Sequence, residues 1–240
     1  MREHESISSL KLFNGCPRCY WLKYVAGLEQ KPSLAQLQGR TVHKAISEYH
    51  EGIVWEDIKS RLELTGECLN GISDDEIELA NYQVEKLVET YIKNVPQGAC
   101  DKTERHFMIP MVNLSTGEEL PVKFEGYIDG ENSKIDWLFE HKTSSSYWKT
   151  ERANTSIQAT GYAYAYYVLT GNMPEGIRFN ILKKNKVTMK YQPLETYRTF
   201  EDLLYFFNWF KNTIEEIQVS DFEPRQTRFN FHHESCPYAN

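Results

Sequence analysis

The hydrophobic period of this chain changes near residue 100, and that change limits its fold more than any other feature. Before it, apolar residues recur three and four apart. Ser6-Ile-Ser-Ser-Leu-Lys-Leu-Phe opens with a capping serine, Cys16-Pro17 interrupts the pattern, and Arg18 to Val25 resumes it as a short aromatic stretch. Gly39 to His50 reads as a helix carrying His43, Ile46 and His50 at helical spacing, and about 55 to 95 are helical in pattern, with an acidic first turn at Asp74-Asp-Glu. After the change, Thr103 to Val112, Leu120 to Asp129 and Lys134 to Thr143 read as strands, the first two joined as a hairpin through Ser115-Thr-Gly117. Ser156 to Thr170 returns to helical period and stops at Gly171-Asn. Arg178 to Leu182 and Val187 to Tyr191 form a hairpin around Lys184-Asn-Lys, and Phe200 to Val219 is a strongly amphipathic last helix.

No Pro/Gly/Ser-rich linker and no internal repeat divides the 240 residues, so helices, antiparallel strands and a helix crossing back to more strands predict one α/β domain over 1–240. Its sheet is expected to be mixed, with about five strands flanked by helices, behind an N-terminal helical region. Residues 44–98 read as a helical insertion within it. No apolar run approaches the ~20 residues needed to cross a membrane, and the charged start Met1-Arg-Glu-His-Glu lacks the apolar core of a secretory signal, which predicts a cytoplasmic protein.

A net charge of −7 does not by itself suggest a phosphate binder, but net charge averages over faces, and clustered carboxylates for a divalent cation lower the total. From Arg178 to Lys190 five basic residues (Arg178, Lys183, Lys184, Lys186, Lys190) occur with no acid among them. That run fits an ordinary solvated strand pair and a phosphate-facing edge equally well.

Asp129 closes one predicted strand, and Glu140-His141-Lys142 lies near the end of the next. Residues two apart on a strand share a face, so Glu140 and Lys142 point together and His141 points away. Two carboxylates on neighbouring strands with an ammonium beside them suit a Mg²⁺ or Mn²⁺ site for phosphodiester cleavage. A hard cation takes oxygen ligands, stabilises charge on phosphate and acidifies the attacking water; the lysine orients or deprotonates that water or neutralises developing charge. Taken alone the spacing is weak, because charged strand residues more often face solvent. The apolar neighbours Gly126-Tyr-Ile and Trp137-Leu-Phe imply half-buried strands, where such charges cost desolvation energy unless they have a use.

With these residues in view, the chain resembles the RecB-like branch of the PD-(D/E)xK nuclease superfamily. Gly126-Tyr-Ile-Asp129 and Glu140-His-Lys142 resemble two of its motifs. Ser6-Ile-Ser-Ser-Leu with Cys16-Pro-Arg-Cys-Tyr resembles its N-terminal segment, Gly39-Arg-Thr-Val-His43 its G-x-x-x-H motif, and Gln158-Ala-Thr-Gly-Tyr162 its Q-x-x-x-Y motif. The five occur in the family's order over residues 6 to about 191. The resemblance implies a restriction-endonuclease-like core and a metal-dependent deoxyribonuclease. DNA would be the substrate, with single strands or ends favoured, and a helicase, recombinase or integrase is an expected partner. The competing function is a non-catalytic DNA-binding subunit of a recombination or adaptation complex, against which the complete Asp-Glu-Lys set counts.

Position by position, the resemblance implies His43, Asp129, Glu140 and the backbone carbonyl of His141 as metal ligands and Lys142 as the water-activating residue. Gln158 and Tyr162, one helical turn apart, would line the site, with Gln158 positioning Lys142 or the DNA backbone. Glu104 falls where relatives often carry an acid, for a second metal or to support the first. Tyr147 and Trp148, just after the lysine, are placed to stack on unpaired bases or, for Trp148, to pack in the core.

Five cysteines, an odd number, argue against a disulfide framework. Some relatives bind a [4Fe–4S] cluster with one N-terminal and three C-terminal cysteines. Cys16 fits the first position, but only Cys236 precedes the end at Asn240, so that cluster is not expected of this chain. A structural Zn²⁺ held by Cys16, Cys19, His233 and Cys236 is the alternative, since two short pairs supply four ligands.

Overall fold

A computed structural model describes residues 2–186 and 188–223. In chain order the elements are β1 (His4–Glu5), α1 (Ile7–Gly15), α2 (Pro17–Tyr20) with a π-helical turn over Trp21–Val25, α3 (Leu34–His50), α4 (Trp55–Ser60), a 3₁₀ turn over Glu67–Leu69, and α5 (Asp74–Asn94). Then come β2 (Lys102–Ile109), β3 (Lys123–Asn132), β4 (Trp137–Ser144), α6 (Thr150–Asn154), α7 (Ile157–Thr170), β5 (Gly176–Lys184), β6 (Met189–Thr196) and α8 (Phe200–Val219). Among the described residues the sheet has six strands in the order β1-β3-β4-β5-β6, with β2 also paired to β3. Its pairings are mixed: β4 runs parallel to β5, while β3–β4 and β5–β6 are antiparallel.

Local chemistry explains the element ends. Ser33, Ser73 and Thr199 each cap a helix in a reciprocal box with the third residue on, Gln36, Glu76 and Asp202. Ser156 accepts from the Ala159 N–H to start α7, and Gly171 ends it at φ 79, a left-handed conformation that glycine adopts without a Cβ penalty. The strand read as ending at Asp129 begins and ends three residues later, so Asp129 lies inside β3, not at its tip.

The chain divides into two compact units. One holds residues 1–30, 107–126 and the chain from Thr199. In it Phe124 meets Phe107, Phe206 and Phe210 at ring separations of 4.9–5.9 Å, and Tyr20 donates to the buried Glu5 carboxylate. Cys16 and Cys19 are buried here, and Cys16 Sγ accepts the Cys19 N–H at 3.3 Å as the cap of α2. His233 and Cys236 lie outside the described residues.

The second unit comprises 31–106 and 127–198. Val42, Ala45 and Ile46 of α3 pack with Val84, Leu87, Val88 and Tyr91 of α5 and with Leu182 of β5. Each of these larger aliphatic side chains contributes about 1.5–3 kcal/mol by its burial. Parallel β4 and β5 require a crossover, supplied by α6 and α7. In-register residues on parallel strands share a face, so Glu140, Lys142 and Ser144 point with Phe179, Ile181 and Lys183, while His141 points with Asn180. The α3–α5 core covers the His141 side. Among the described residues, no helix is long and apolar enough to cross a membrane.

Candidate metal centre

The site grows from a place where two strands stop pairing. The β3–β4 ladder runs from Asn132↔Trp137 to Gly130↔Phe139. Beyond it the His141 N–H donates at 2.7 Å to Asp129 Oδ2, a side-chain oxygen where the ladder would supply a carbonyl. This bond fixes the Asp129 carboxylate at the mouth of the gap, with Glu140 on the strand opposite. Gly130 keeps the strand close behind, since a Cβ there would fall 2.6 Å from Cys100 Sγ.

Helix α3 brings His43 into the gap. Its Nε2 contacts the His141 carbonyl oxygen at 2.9 Å, and its Nδ1 lies 3.5 Å from Glu104 Oε1 and 3.6 Å from Asp129 Oδ1. Glu104 reaches this point from β2 through a backbone with φ 46, the left-handed region that a glutamate occupies only at a cost of about 1–3 kcal/mol. His43, Glu104 and Asp129 thus offer donor atoms all within 4.8 Å of one another. Glu140 and Lys142 form a close ion pair at the next position along β4.

The electrostatics follow from crowding acids in a buried place. Burial alone would lower the His43 pKa, but Asp129, Glu104 and Glu140 outweigh it and push it up to about 9. His43 is therefore a cation here, serving acceptors on both sides. Burial, then repulsion from Asp129, raises Glu140 to about 7, and burial likewise raises Asp129. Lys142 keeps its proton: burial opposes the charge, but Glu140 and Asp129 together win.

Glu140 supplies the test of whether a cation fits. It is 1% exposed, and among the described residues neither of its oxygens has a well-aligned hydrogen-bond donor, the Lys142 ammonium beside it apart. A carboxylate so short of donors costs several kcal/mol of desolvation. Carboxylates, a backbone carbonyl and one imidazole form an oxygen-rich donor set, which suits a hard divalent ion better than a soft one. Binding such an ion would displace the His43 proton. The residues fit a divalent cation.

The remaining sequence candidates take different positions. Gln158 donates to the Tyr162 hydroxyl at 3.0 Å, one turn along α7. Burial, then the charges of Glu140 and Asp129, drives the Tyr162 hydroxyl well above its usual pKa, so it keeps its proton. In the basic run, Arg178 pairs with Glu195 and Lys184 with the Gln38 side chain.

Two supports escape sequence reasoning. Behind the site, Tyr191 donates to Asn180, whose amide meets His141 Nδ1 at 3.1 Å, and Tyr91 packs edge-on to the His141 ring. Burial holds His141 well below its ordinary pKa, hence neutral. The signal was present, a lone Asn inside Phe179-Asn-Ile-Leu182, but its partner is a strand away. Arg198 is the other: its guanidinium bonds Thr160 Oγ1 and the Ala153 and Ser156 carbonyls, tying α6 and α7 into place.

A family model for the PD-(D/E)XK nuclease superfamily matches residues 4–240. A solved structure from Eubacterium rectale, provisionally designated an exonuclease, superposes with a TM-score of 0.55 at 16% identity, covering 97% of this chain and 88% of that one. At that identity the likeness shows the fold alone. A second structure, SSO0001, aligns over 97% of this chain and 93% of its own at 13% identity, with a TM-score of 0.39. No curated protein matches the chain.

Proposed function

Because the chain belongs to the PD-(D/E)XK nuclease superfamily, we propose that it is a DNA nuclease of the RecB-like type, acting as an exonuclease with Mg²⁺ or Mn²⁺. The observation that carries this reading is the convergence of His43, Glu104 and Asp129 beside a buried, donor-poor Glu140 and its Lys142. A purely structural cluster has no reason to leave a buried carboxylate with a single ammonium as its partner among the described residues.

His43, Asp129, Glu140, Glu104 and the His141 carbonyl are the groups that would hold the cation. Once bound, it would supply positive charge against the phosphate and make an attacking water more acidic. The chain's own residues do the rest. Lys142, held as an ammonium, orients the water and neutralises charge gathering on phosphate oxygens. Asp129, fixed by the His141 N–H, keeps the two strands at one spacing. Tyr162 keeps its hydroxyl proton and accepts from Gln158 along α7.

The test is degradation of linear DNA with Mn²⁺, with EDTA as control. Lys142→Ala and Asp129→Ala should each lower the rate by at least about a hundredfold with an unchanged circular dichroism spectrum. Wild-type rates in either variant would sink the assignment. Covalently closed circular DNA should resist the enzyme; rapid loss of circles would replace an exonuclease with an endonuclease.

A further inference from the structure

The segment leaving the catalytic strand is unusually well fixed. Gln192 on β6 accepts the Trp148 N–H and donates to the Trp148 carbonyl, both at 2.9 Å, so one side chain holds the loop as a paired strand would. Trp148 is used up by packing. Its ring meets Phe179 at 5.5 Å and lies under Arg152 at 3.8 Å. Tyr147 is not: it is 55% exposed, and among the described residues its ring has only the Lys183 ammonium, 4.3 Å from the centroid.

Lys183 itself sits in register with Ser144, on the sheet face that carries Glu140 and Lys142, one side-chain step beyond Lys142. That step is roughly 7 Å, about the reach from one phosphate of an extended strand to the next. Directly across from Lys183 on β6 is Lys190, and among the described residues neither lysine has an acidic partner. Like charges placed directly opposite are destabilising unless an anion lies between or over them. A rigidly presented aromatic face and a paired positive charge therefore stand together, beside the candidate site and on its side of the sheet.

Building on the nuclease reading, we propose that Tyr147, Lys183 and Lys190 form a docking step for the unpaired nucleotide adjoining the scissile phosphate. The base stacks on the open face of Tyr147, and the lysine pair takes the neighbouring phosphate. Stacking on an aromatic ring tolerates any base, whereas a base inside a duplex has both faces covered by its neighbours and a terminal pair offers only one face, held in plane with its partner. The step therefore favours single-stranded DNA or a frayed end over an intact blunt duplex.

The experiment measures steady-state cleavage of a single-stranded oligonucleotide and of a blunt duplex, with Mn²⁺, by wild type, Tyr147→Ala, Tyr147→Phe and Lys183→Ala/Lys190→Ala. Tyr147→Ala should raise KM on the single strand about tenfold, with kcat nearly kept, and change the duplex little, while Tyr147→Phe behaves as wild type. A second measurement separates stacking from folding. Oligonucleotides carrying one abasic position, walked in from the end, should weaken wild type at one position only, and Tyr147→Ala should be indifferent to it. Wild-type KM in Tyr147→Ala, or equal losses on single strand and duplex, overturns the docking step while leaving the nuclease reading intact. If wild-type protein cleaves neither substrate, both fall together.

Discussion

Two buried carboxylate clusters lie two residues apart on β3, and they are solved in opposite ways. Glu131, 1% exposed, receives Lys102 at 2.9 Å, Arg105 at 2.7 Å and the Ser133 hydroxyl at 2.9 Å. Burial would raise its pKa, but those three donors overrule it and hold it below the usual range. Asp129 and Glu140 are buried too, at 8% and 1% exposed, yet their donors fall short and both are raised. Saturated donors mark a carboxylate whose task is to hold strands together. A deficit marks one that waits for a charge from outside.

The contrast breaks most visibly on removal of one partner. Glu131→Ala leaves Lys102 and Arg105, both partly solvated, without their acid and should cost about 3 kcal/mol, read as a fall in the urea midpoint. Asp129→Asn should cost little in EDTA, because it relieves repulsion. Equal losses in the two variants would mean that the clusters are alike.

The pH dependence should run in opposite directions. Glu140, raised from 4.5 to about 7, binds its proton more tightly in the folded protein, so its contribution is full below about pH 4.5 and lost as pH rises to about 7. That span is worth at most about 3 kcal/mol, and Glu140→Gln should flatten it in EDTA. Glu131 is depressed, so its contribution is present above its unfolded pKa and lost as pH falls through the folded one. Stability curves of Glu131→Gln and Glu140→Gln that diverge from wild type in the same direction with pH would refute the distinction.

The smallest effect is cation binding. At a hundredfold excess over its Kd, Mn²⁺ should stabilise the protein by about 2.7 kcal/mol, seen as a rise in Tm. Glu131→Gln should keep that rise, and Asp129→Asn should lose it. A rise surviving in Asp129→Asn would place the cation elsewhere.

Much of this was legible in the sequence, for reasons that are local. The last helix matches its expectation at both ends, because Thr199 and Asp202 cap it and its apolar face recurs at helical period. Helix α7 begins after Ser156 and stops at Gly171 as its capping residues require. Strand alternation placed Glu140 and Lys142 on one face and His141 on the other, as the parallel register has it. Motif order pointed to the family over most of the chain.

What escaped was set by distant partners. Nothing in Thr103-Glu-Arg says that Glu104 adopts a left-handed backbone, because that conformation is set where β2 meets His43 of α3. Asp129 read as a strand end, because the ladder's failure at Gly130↔Phe139 depends on both strands at once. The spacing puts Gln158 and Tyr162 one turn apart, but that the Gln158 amide donates to the Tyr162 hydroxyl depends on the rotamers the fold selects.

The sequence by itself determined which acids and which lysine could form a site, since periodicity and motif spacing are properties of neighbouring residues. The tertiary structure alone decided which carboxylates are saturated and which are short of donors. That difference separates Glu131 from Asp129 and Glu140, and it depends on residues brought together from 43 to 142 by packing. Charge in a buried place is governed by what lies within a few ångströms, and only the fold chooses those neighbours.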